Sequence, residues 1–196
     1  VLRQDFPMLR VDREALEAAA EAKRDMGTGK WNRRDFDDSA WDSVDVPGTW
    51  RETGIRVKGS VWYRKNFRLP SSMVGRHAKL YMGRMSDCDS VFVNGTFVGT
   101  TAYFGPPRMY DVTAGVLVEG VNNVTLKLTA LNGNGEIVRD KVYKLKWDDD
   151  EVELSGVWKY KVGFDRAEAE PYEQRLANLR HAGSGLYNGM IYPVRN

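Results

Sequence analysis

One loop of the sequence carries the residue types that bind sugars. A carbohydrate site uses exposed aromatic faces, which lie against the sugar ring, and planar polar side chains, which pair with its hydroxyl groups. The segment TTAYFGPPRMY, residues 100–110, places aromatic residues beside an arginine and a stiff Pro-Pro step. The candidate contact residues are Tyr103, Phe104, Arg108, Tyr110 and, from a separate loop, Trp50.

A structural role also fits the same residues and is the favoured interpretation. In that role Tyr103 and Phe104 close one end of a β-sandwich, and the candidate tryptophan belongs to the core. Arg108 then pairs with a nearby acid, either Asp87 or Asp89. The sequence leaves both roles open.

Asp87 and Asp89 are the candidate ligands for a metal ion. They alternate at the entry to a strand, and calcium takes about six to eight oxygen ligands, so structural calcium is the one metal that the sequence suggests. Aspartates before a hairpin also form side-chain turns. The chain has two histidines and one cysteine, which favours no zinc site, and no other cofactor is expected.

The sequence offers few groups for nucleophilic catalysis, which needs a hydroxyl or thiol beside a base that a third group orients. The histidines are His77 and His181, and no GxSxG, Gly-Asp-Ser or Asp-x-x-His pattern is present. Ser184 lies between two glycines, as in a flexible connector, and Cys88 lies between two aspartates, as suits a structural cysteine. We therefore expect no catalytic residue in this chain.

The composition indicates a soluble globular chain. Its 196 residues, 42% of them hydrophobic, suffice for one domain with a real core. The net charge is +2 and no basic stripe is interleaved with aromatic residues, so nucleic acid is not an expected partner. No apolar run approaches the about 20 residues of a membrane helix, so no membrane partner is expected. Because Val1 is not an initiator methionine, we expect a processed or trimmed piece.

The strongest structural signal is DCDSVFVNGTFVGTT, residues 87–101. Its Asn-Gly pair favours a two-residue type I′ turn, which fixes the register of the hairpin. The expected pairs are Val93 with Thr96, Phe92 with Phe97, and Val91 with Val98. Valines then share one sheet face and phenylalanines the other, so the outer face needs a cover.

Other strand signals follow at short intervals. They lie at residues 60–69, 79–82, 108–112, 124–131, 137–145 and 157–162. Residues 12–26 have helical spacing, and residues 31–59 predict a mostly irregular approach segment whose aromatic residues tuck into the sheet edges. The pattern predicts an all-β fold, an antiparallel jelly-roll β-sandwich with an N-terminal helix and a short helical C-terminal extension.

Five segments, in order, resemble the galactose-binding-like jelly roll of carbohydrate-active enzymes. They are WNRRDFDDSAWDSVDVPGTW, SVWYRKNFRLP, DCDSVFVNGTFVGTT, PPRMYDV and EGVNNVTLKLTALNGNGE. The tail, LSGVWKYKVG followed by GLYNGMIYP, is similar to sialate O-acetylesterases, in which such a jelly roll is inserted into an SGNH-type hydrolase domain.

That resemblance implies a domain organisation. Residues 1–30 would be an N-terminal helical extension, 31–163 the galactose-binding-like β-sandwich, and 164–196 a linker and the start of the catalytic domain. The chain would be a non-catalytic accessory domain of a serine-dependent carbohydrate O-acetylesterase, inactive alone because the serine and Asp/His motifs of that family are absent from the sequence. The implied partners are the catalytic domain of the same polypeptide and an acetylated glycan.

The resemblance also implies a periplasmic or secreted location. Two alternatives stay open. One is the sugar-binding domain of a family 2 glycoside hydrolase. The other is a purely structural module that packs between domains.

Overall fold

The computed structural model describes residues 25–166 and residue 174. Within them the strands are β1 (Asp42–Val46), β2 (Gly48–Thr49), β3 (Gly59–Leu69), β4 (Ala78–Met82), β5 (Cys88–Val93), β6 (Thr96–Thr101), β7 (Met109–Val112), β8 (Gly120–Ala130), β9 (Glu136–Ile137), β10 (Tyr143–Lys146), β11 (Glu151–Glu153) and β12 (Gly156–Asp165). One short helix, α1, spans Trp50–Thr53, and a 3₁₀ turn spans Ser71–Met73.

The predicted helix over residues 12–26 lies outside the described residues except for Asp25 and Met26, which are not helical. Apart from residue 174, which is helical, the predicted helical extension after residue 166 also lies outside them.

Two antiparallel sheets form the body of the domain. The larger has the order β1-β12-β3-β8-β5-β6, and the smaller has the order β11-β10-β4-β7. A two-stranded ribbon pairs β2 with β9. The predicted all-β antiparallel sandwich is therefore confirmed.

The core lies between the two sheets, and β8 shows why the sequence folds this way. Val124, Leu126, Leu128 and Ala130 alternate along β8 and are fully buried, as their spacing predicted. Leucine, methionine and valine side chains of the smaller sheet complete the same cluster. At about 25 cal/mol per Å² of buried apolar surface, this shared interior is the main stabilising contribution.

The Asn94-Gly95 turn forms as predicted. Both residues have positive φ angles, 50° and 85°, which is the backbone geometry of a type I′ turn. Val93 faces Thr96 and Phe92 faces Phe97, in the predicted register.

The third predicted pair of the hairpin is wrong. Val91 lies opposite Gly99, because a β-bulge shifts the register of β6 by one residue. A Cβ atom added to Gly99 would lie 2.1 Å from Cδ1 of Tyr110. The bulge thus places a residue without a side chain beneath the tyrosine ring.

Replacing Gly99 with alanine should therefore displace the Tyr110 ring. We expect the free energy of unfolding to fall by about 1–3 kcal/mol, as for other overpacked sites, measured by urea denaturation. The matched control is the same substitution in a Tyr110→Ala background, where no ring occupies the space. An equal loss in both backgrounds would contradict this packing argument.

An aromatic layer covers the outer face of the larger sheet. Trp31, Trp41 and Trp62 form a buried cluster with Phe36 and Phe92 packed against it. The segment before β1 thus covers the outer face of the hairpin at Phe92, whereas Phe97 stays 55% exposed. Residues 31–59 were expected to be mostly irregular. Residues 31–41 are irregular, whereas the stretch after them forms β1, β2 and α1, because β1 pairs with β12, β2 pairs with β9, and a capping box starts the helix.

Arg64 of β3 fastens this layer to the sheet. Its guanidinium is fully buried and donates to the backbone carbonyls of Trp31, Arg33 and Phe36. Its Nε also donates to the carboxylate of Asp38 at 2.8 Å. One side chain therefore anchors eight residues of otherwise irregular backbone.

Candidate functional site

The aromatic loop, residues 102–107, joins β6 to β7 at one end of the sandwich. Its Tyr103 and Phe104 side chains are 64% and 54% exposed. Gly105, with φ of 152°, lies between these aromatics and Pro106. The loop therefore presents two neighbouring aromatic side chains to solvent.

Arg108 holds the aromatic loop from inside the protein. Its Nη1 donates to the carbonyl of Pro106 at 2.9 Å, and its Nη2 donates to the carbonyls of Tyr103 and Asp87 at 3.0 and 3.3 Å. Its Nε donates to Oδ1 of Asp89 at 2.7 Å, with both side chains fully buried. The predicted sugar contact by Arg108 is therefore wrong, because all three nitrogens are used within the protein.

Tyr110 completes the buried cluster. Its hydroxyl donates to Oδ2 of Asp89 at 2.5 Å and lies 3.0 Å from Oγ1 of Thr101. Burial raises the pKa of the Tyr110 phenol, so the hydroxyl stays protonated as a donor. Burial also raises the pKa of the Asp89 carboxyl, against the hydrogen bonds from Tyr110 and Arg108. Tyr110 thus supports the loop from below and offers no face to a ligand.

The structure does not assemble a calcium site from Asp87 and Asp89. Both oxygens of Asp89 accept hydrogen bonds from buried partners, and Asp87 has a positive φ of 49°, in a turn whose carbonyl bonds to Arg108. Across residues 25–166, no group of three or more His, Cys, Asp or Glu side chains could hold a metal. The aspartates therefore have structural roles instead of metal-binding ones. Asp87 lies in the turn, and Asp89 forms the ion pair with Arg108.

Trp50 lies in the core, so its predicted sugar contact is also wrong. The ring is 1% exposed, and its Nε1 donates to the Tyr63 hydroxyl at 2.7 Å. It is the first residue of α1. Thr49 and Glu52 cap the N-terminus of this helix with a reciprocal capping box. The Thr-x-x-Glu spacing was present in the sequence and identifies this turn of helix.

The residues considered for nucleophilic catalysis are not brought together in the part of the chain that the structure describes. His77 is exposed just before β4, whereas Cys88 is partly buried at the start of β5. His181 and Ser184 lie outside the described residues.

No helix among the described residues is long and apolar enough to cross a membrane.

Arg84 is a charged residue at the aromatic-loop end that the sequence did not single out. The Arg108 amide donates to the carbonyl of Gly83 at 2.7 Å, and the Val138 amide donates to the carbonyl of Arg84 at 2.9 Å. The backbone at Arg84 is therefore bonded both to the base of the aromatic loop and to the connection between β9 and β10. No local motif marks this arginine, since it follows a strand as any solvated residue could.

A shallow cleft of about 450 Å³ lies at the opposite end of the sandwich. It is lined by Arg34, Asp35, Val121, Asn122 and Asn123. Both asparagine amides donate to backbone carbonyls, and both side chains are buried. These amides are already hydrogen-bonded within the protein. The aromatic loop is therefore the better candidate for a binding site.

Comparison with known proteins identifies the family. The family model for the sugar binding domain of glycosyl hydrolases family 2 matches residues 7–165. A β-glucuronidase from Formosa agariphila is 22% identical over 127 residues, which cover 58% of this chain and 13% of that protein.

Solved β-glucuronidase structures are also similar. The enzyme from Bifidobacterium dentium, complexed with coumarin-3-O-glucuronide, is 28% identical with a TM-score of 0.39, and the match covers 43% of this chain and 14% of that one. The Bacteroides uniformis β-glucuronidase 2 is 21% identical with a TM-score of 0.47, covering 66% and 15%. The chain spans between 13% and 15% of the length of these relatives.

The family match overturns the resemblance to sialate O-acetylesterases. The matched family covers the whole segment 31–163 that was assigned to an inserted esterase domain. The tail behind that assignment is not a mark of an esterase: LSGVWKYKVG contributes most of β12, which lies between β1 and β3 in the larger sheet, and GLYNGMIYP lies outside the described residues. The chain belongs to the sugar binding domain family of the family 2 glycosyl hydrolases.

Proposed function

We propose that this chain is a non-catalytic, glycan-contacting domain of a larger glycoside hydrolase, and that Tyr103 and Phe104 form its contact. The observation that carries the proposal is the pairing of two exposed aromatic side chains with a fully buried arginine that fixes their backbone. A loop held in its binding conformation loses less entropy when it binds. Aromatic faces also suit the apolar face of a sugar ring.

The sugar proposed for this site is a β-glucuronide. The matched protein from Formosa agariphila carries the name β-glucuronidase, and this name supports the choice. The partner proposed for the domain is the catalytic part of the same polypeptide, since the chain covers 13% of that relative.

Replacing Tyr103 with alanine should weaken binding of methyl β-D-glucuronide by about tenfold or more, which corresponds to about 1.4 kcal/mol. The measurement is titration of the chain, followed by calorimetry or by amide chemical shifts. Met109→Ala is the matched control, because Met109 is 55% exposed beside the loop but has no aromatic face. Equal affinities for the parent chain and the tyrosine variant, or no binding by the parent chain, would refute a glycan contact at this loop.

A second candidate function is a packing module between domains. It is favoured by Phe97, which is 55% exposed on the outer face of β6. In that case the aromatic loop would contact protein rather than sugar. Tyr103→Ala would then lower the thermal midpoint of the intact hydrolase and leave its KM for a glucuronide unchanged.

A further inference from the structure

Three Asn-Gly pairs lie in the described part of the chain. Asn94-Gly95 forms the hairpin turn, whereas Asn132-Gly133 and Asn134-Gly135 follow one another in the connection from β8 to β9. A fourth pair, Asn188-Gly189, lies outside the described residues. Asparagine is thermally labile, most of all before glycine, which has no side chain to shield its amide nitrogen. The three described pairs share this intrinsic reactivity, so the structure decides which of them reacts.

The reaction is spontaneous deamidation, which needs only water. A solvent base takes the proton of the glycine amide, and the nitrogen attacks Cγ of the asparagine. The new N–Cγ bond closes a five-membered succinimide, while the Cγ–Nδ2 bond breaks and Nδ2 leaves as ammonia with a proton from solvent. Water then opens the ring at either carbonyl and gives aspartate or isoaspartate. The asparagine side chain must therefore be free to rotate, and the glycine amide must be free of an acceptor.

The hairpin protects Asn94 from this reaction. Its Nδ2 donates to the carbonyl of Val116 at 2.8 Å and to Oδ1 of Asn122 at 2.7 Å. Its Oδ1 accepts from the Asn123 amide at 2.8 Å. Attack at Cγ expels the nitrogen that makes two of these bonds, so the ring cannot close without breaking them.

Asn132 is held by fewer bonds, but both of its reacting groups are engaged. The Gly133 amide donates to the carbonyl of Ala130 at 3.2 Å. Oδ1 of Asn132 accepts from the Asn134 amide at 2.8 Å. The attacking nitrogen and the side-chain amide are thus both held within a local turn.

Asn134 differs from both of these asparagines. Its side chain is exposed. Among the hydrogen bonds of residues 25–166, none involves the Asn134 side chain or the Gly135 amide. The carbonyl of Gly135 accepts from the Trp50 amide at 2.8 Å, so the glycine is anchored while its nitrogen is free. The attacking nitrogen is therefore available, and the side chain is free to turn towards it.

We propose that Asn134 is the first site of spontaneous deamidation among residues 25–166, through attack of the Gly135 nitrogen on the Asn134 Cγ. The isoaspartate product lengthens the backbone by one methylene group directly before Gly135. That glycine lies against the buried indole of Trp50, because a Cβ atom added to it would lie 2.1 Å from Cδ2 of the ring. The inserted methylene should therefore displace Gly135 and loosen the packing over Trp50.

Incubation of the full chain at mildly alkaline pH, followed by peptide mapping, tests the proposal. Trypsin releases residues 128–139, with Asn132 and Asn134, separately from residues 85–108, whose one asparagine is Asn94. Fragment ions distinguish the first two. In the folded chain Asn134 should deamidate about tenfold faster than Asn94 or more, because three hydrogen bonds hold Asn94. Asn132 should also react more slowly than Asn134.

The same incubation in concentrated urea is the matched control. Unfolding removes the hydrogen bonds, so Asn94, Asn132 and Asn134 should then react at similar rates. A rate at Asn134 in the folded chain that does not exceed the rates at Asn94 and Asn132 overturns the proposal. A difference that persists unchanged in urea also overturns it, because the folded structure would then not be its cause.

Two variants locate the reaction within residues 128–139. Asn134→Gln should lose most of the deamidation of this peptide, because a glutamine side chain has to close a six-membered ring, which is a slower step. Asn132→Gln is the matched control and should retain it. The reverse pattern would place the reaction at Asn132 and overturn the proposal.

The thermal midpoint of the isoaspartate form tests the effect on Trp50. Ion exchange isolates the deamidated chain, and an isoaspartyl methyltransferase identifies its isoaspartate fraction, which should unfold at a lower temperature than the parent. Asn134→Asp is the matched control, because it carries the same charge on an ordinary backbone at an exposed position, and it should keep the parent midpoint. Equal midpoints for the isoaspartate form and Asn134→Asp would overturn the displacement of Gly135.

Discussion

Replacing Arg108 with alanine should lower the free energy of unfolding by about 3–5 kcal/mol, the effect seen when one partner of a buried ion pair is removed. The substitution leaves the Asp89 carboxylate buried with Tyr110 as its remaining donor. It also leaves the carbonyls of Tyr103 and Pro106 without the donor that orders the aromatic loop. Urea denaturation followed by tryptophan fluorescence measures the loss.

The matched control separates the effect of the unpaired buried charge on stability from the effect of losing the contacts to the aromatic loop. Replacing both members of the pair, in Asp89→Leu with Arg108→Met, removes the buried charge and should recover much of the stability, because apolar pairs of similar volume often replace ion pairs without loss. The aromatic loop should nevertheless be more mobile in the double variant than in the parent protein, because Arg108 no longer binds its carbonyls. Faster amide exchange at Phe104 and Gly105 would show this mobility. A loss below about 1 kcal/mol for the single variant would contradict the account.

Replacing Arg64 with alanine should have an effect of similar size, about 3–5 kcal/mol, because Asp38 keeps a partly buried charge without its partner. The three carbonyls that Arg64 binds also lose their donor. Since the aromatic layer then detaches, Trp31 and Trp41 should become exposed. Tryptophan emission of the folded variant should therefore shift to longer wavelength.

Arg34→Ala is the control for this prediction. Arg34 lies in the same segment and donates to the carbonyl of Val121, but it is exposed. Surface substitutions of this kind usually change stability by within about 0.5 kcal/mol. An equal loss in both variants, or unchanged emission for Arg64→Ala, would show that the layer holds without the guanidinium.

Local signals predicted the parts of the fold that depend on neighbouring residues. The Asn94-Gly95 turn and the alternation along β8 depend on backbone preference and on one buried face, and both were found as expected. The bulge at Gly99 was missed because it depends on Tyr110, a residue of another strand that fills the space above the glycine. Register beyond the turn is decided by packing rather than by the turn itself.

The candidate site was predicted only in part, because its interior contacts also depend on residues from other strands. Tyr103 and Phe104 were found exposed on a loop, whereas Arg108 and Tyr110 proved to be interior. Their partner, Asp89, was named as one option, but a sequence does not show whether an arginine faces solvent or a buried carboxylate. Arg64 shows the same limit from the other side, since an arginine in an alternating strand normally reaches water and here lies under a cover supplied by an earlier segment.

The pairing of β1 with β12 has a consequence for how the polypeptide matures. Asp42 lies opposite Tyr160, so β1, the first of the described strands to leave the ribosome, finds its neighbour only when β12, the last of them, has emerged. Until then β1 is an unpaired edge. Closure of the sheet is thus a late event that joins distant parts of the chain, and such long-range pairings slow folding. Sequence changes in β12 should therefore reduce the yield of folded protein during synthesis as strongly as changes in β1.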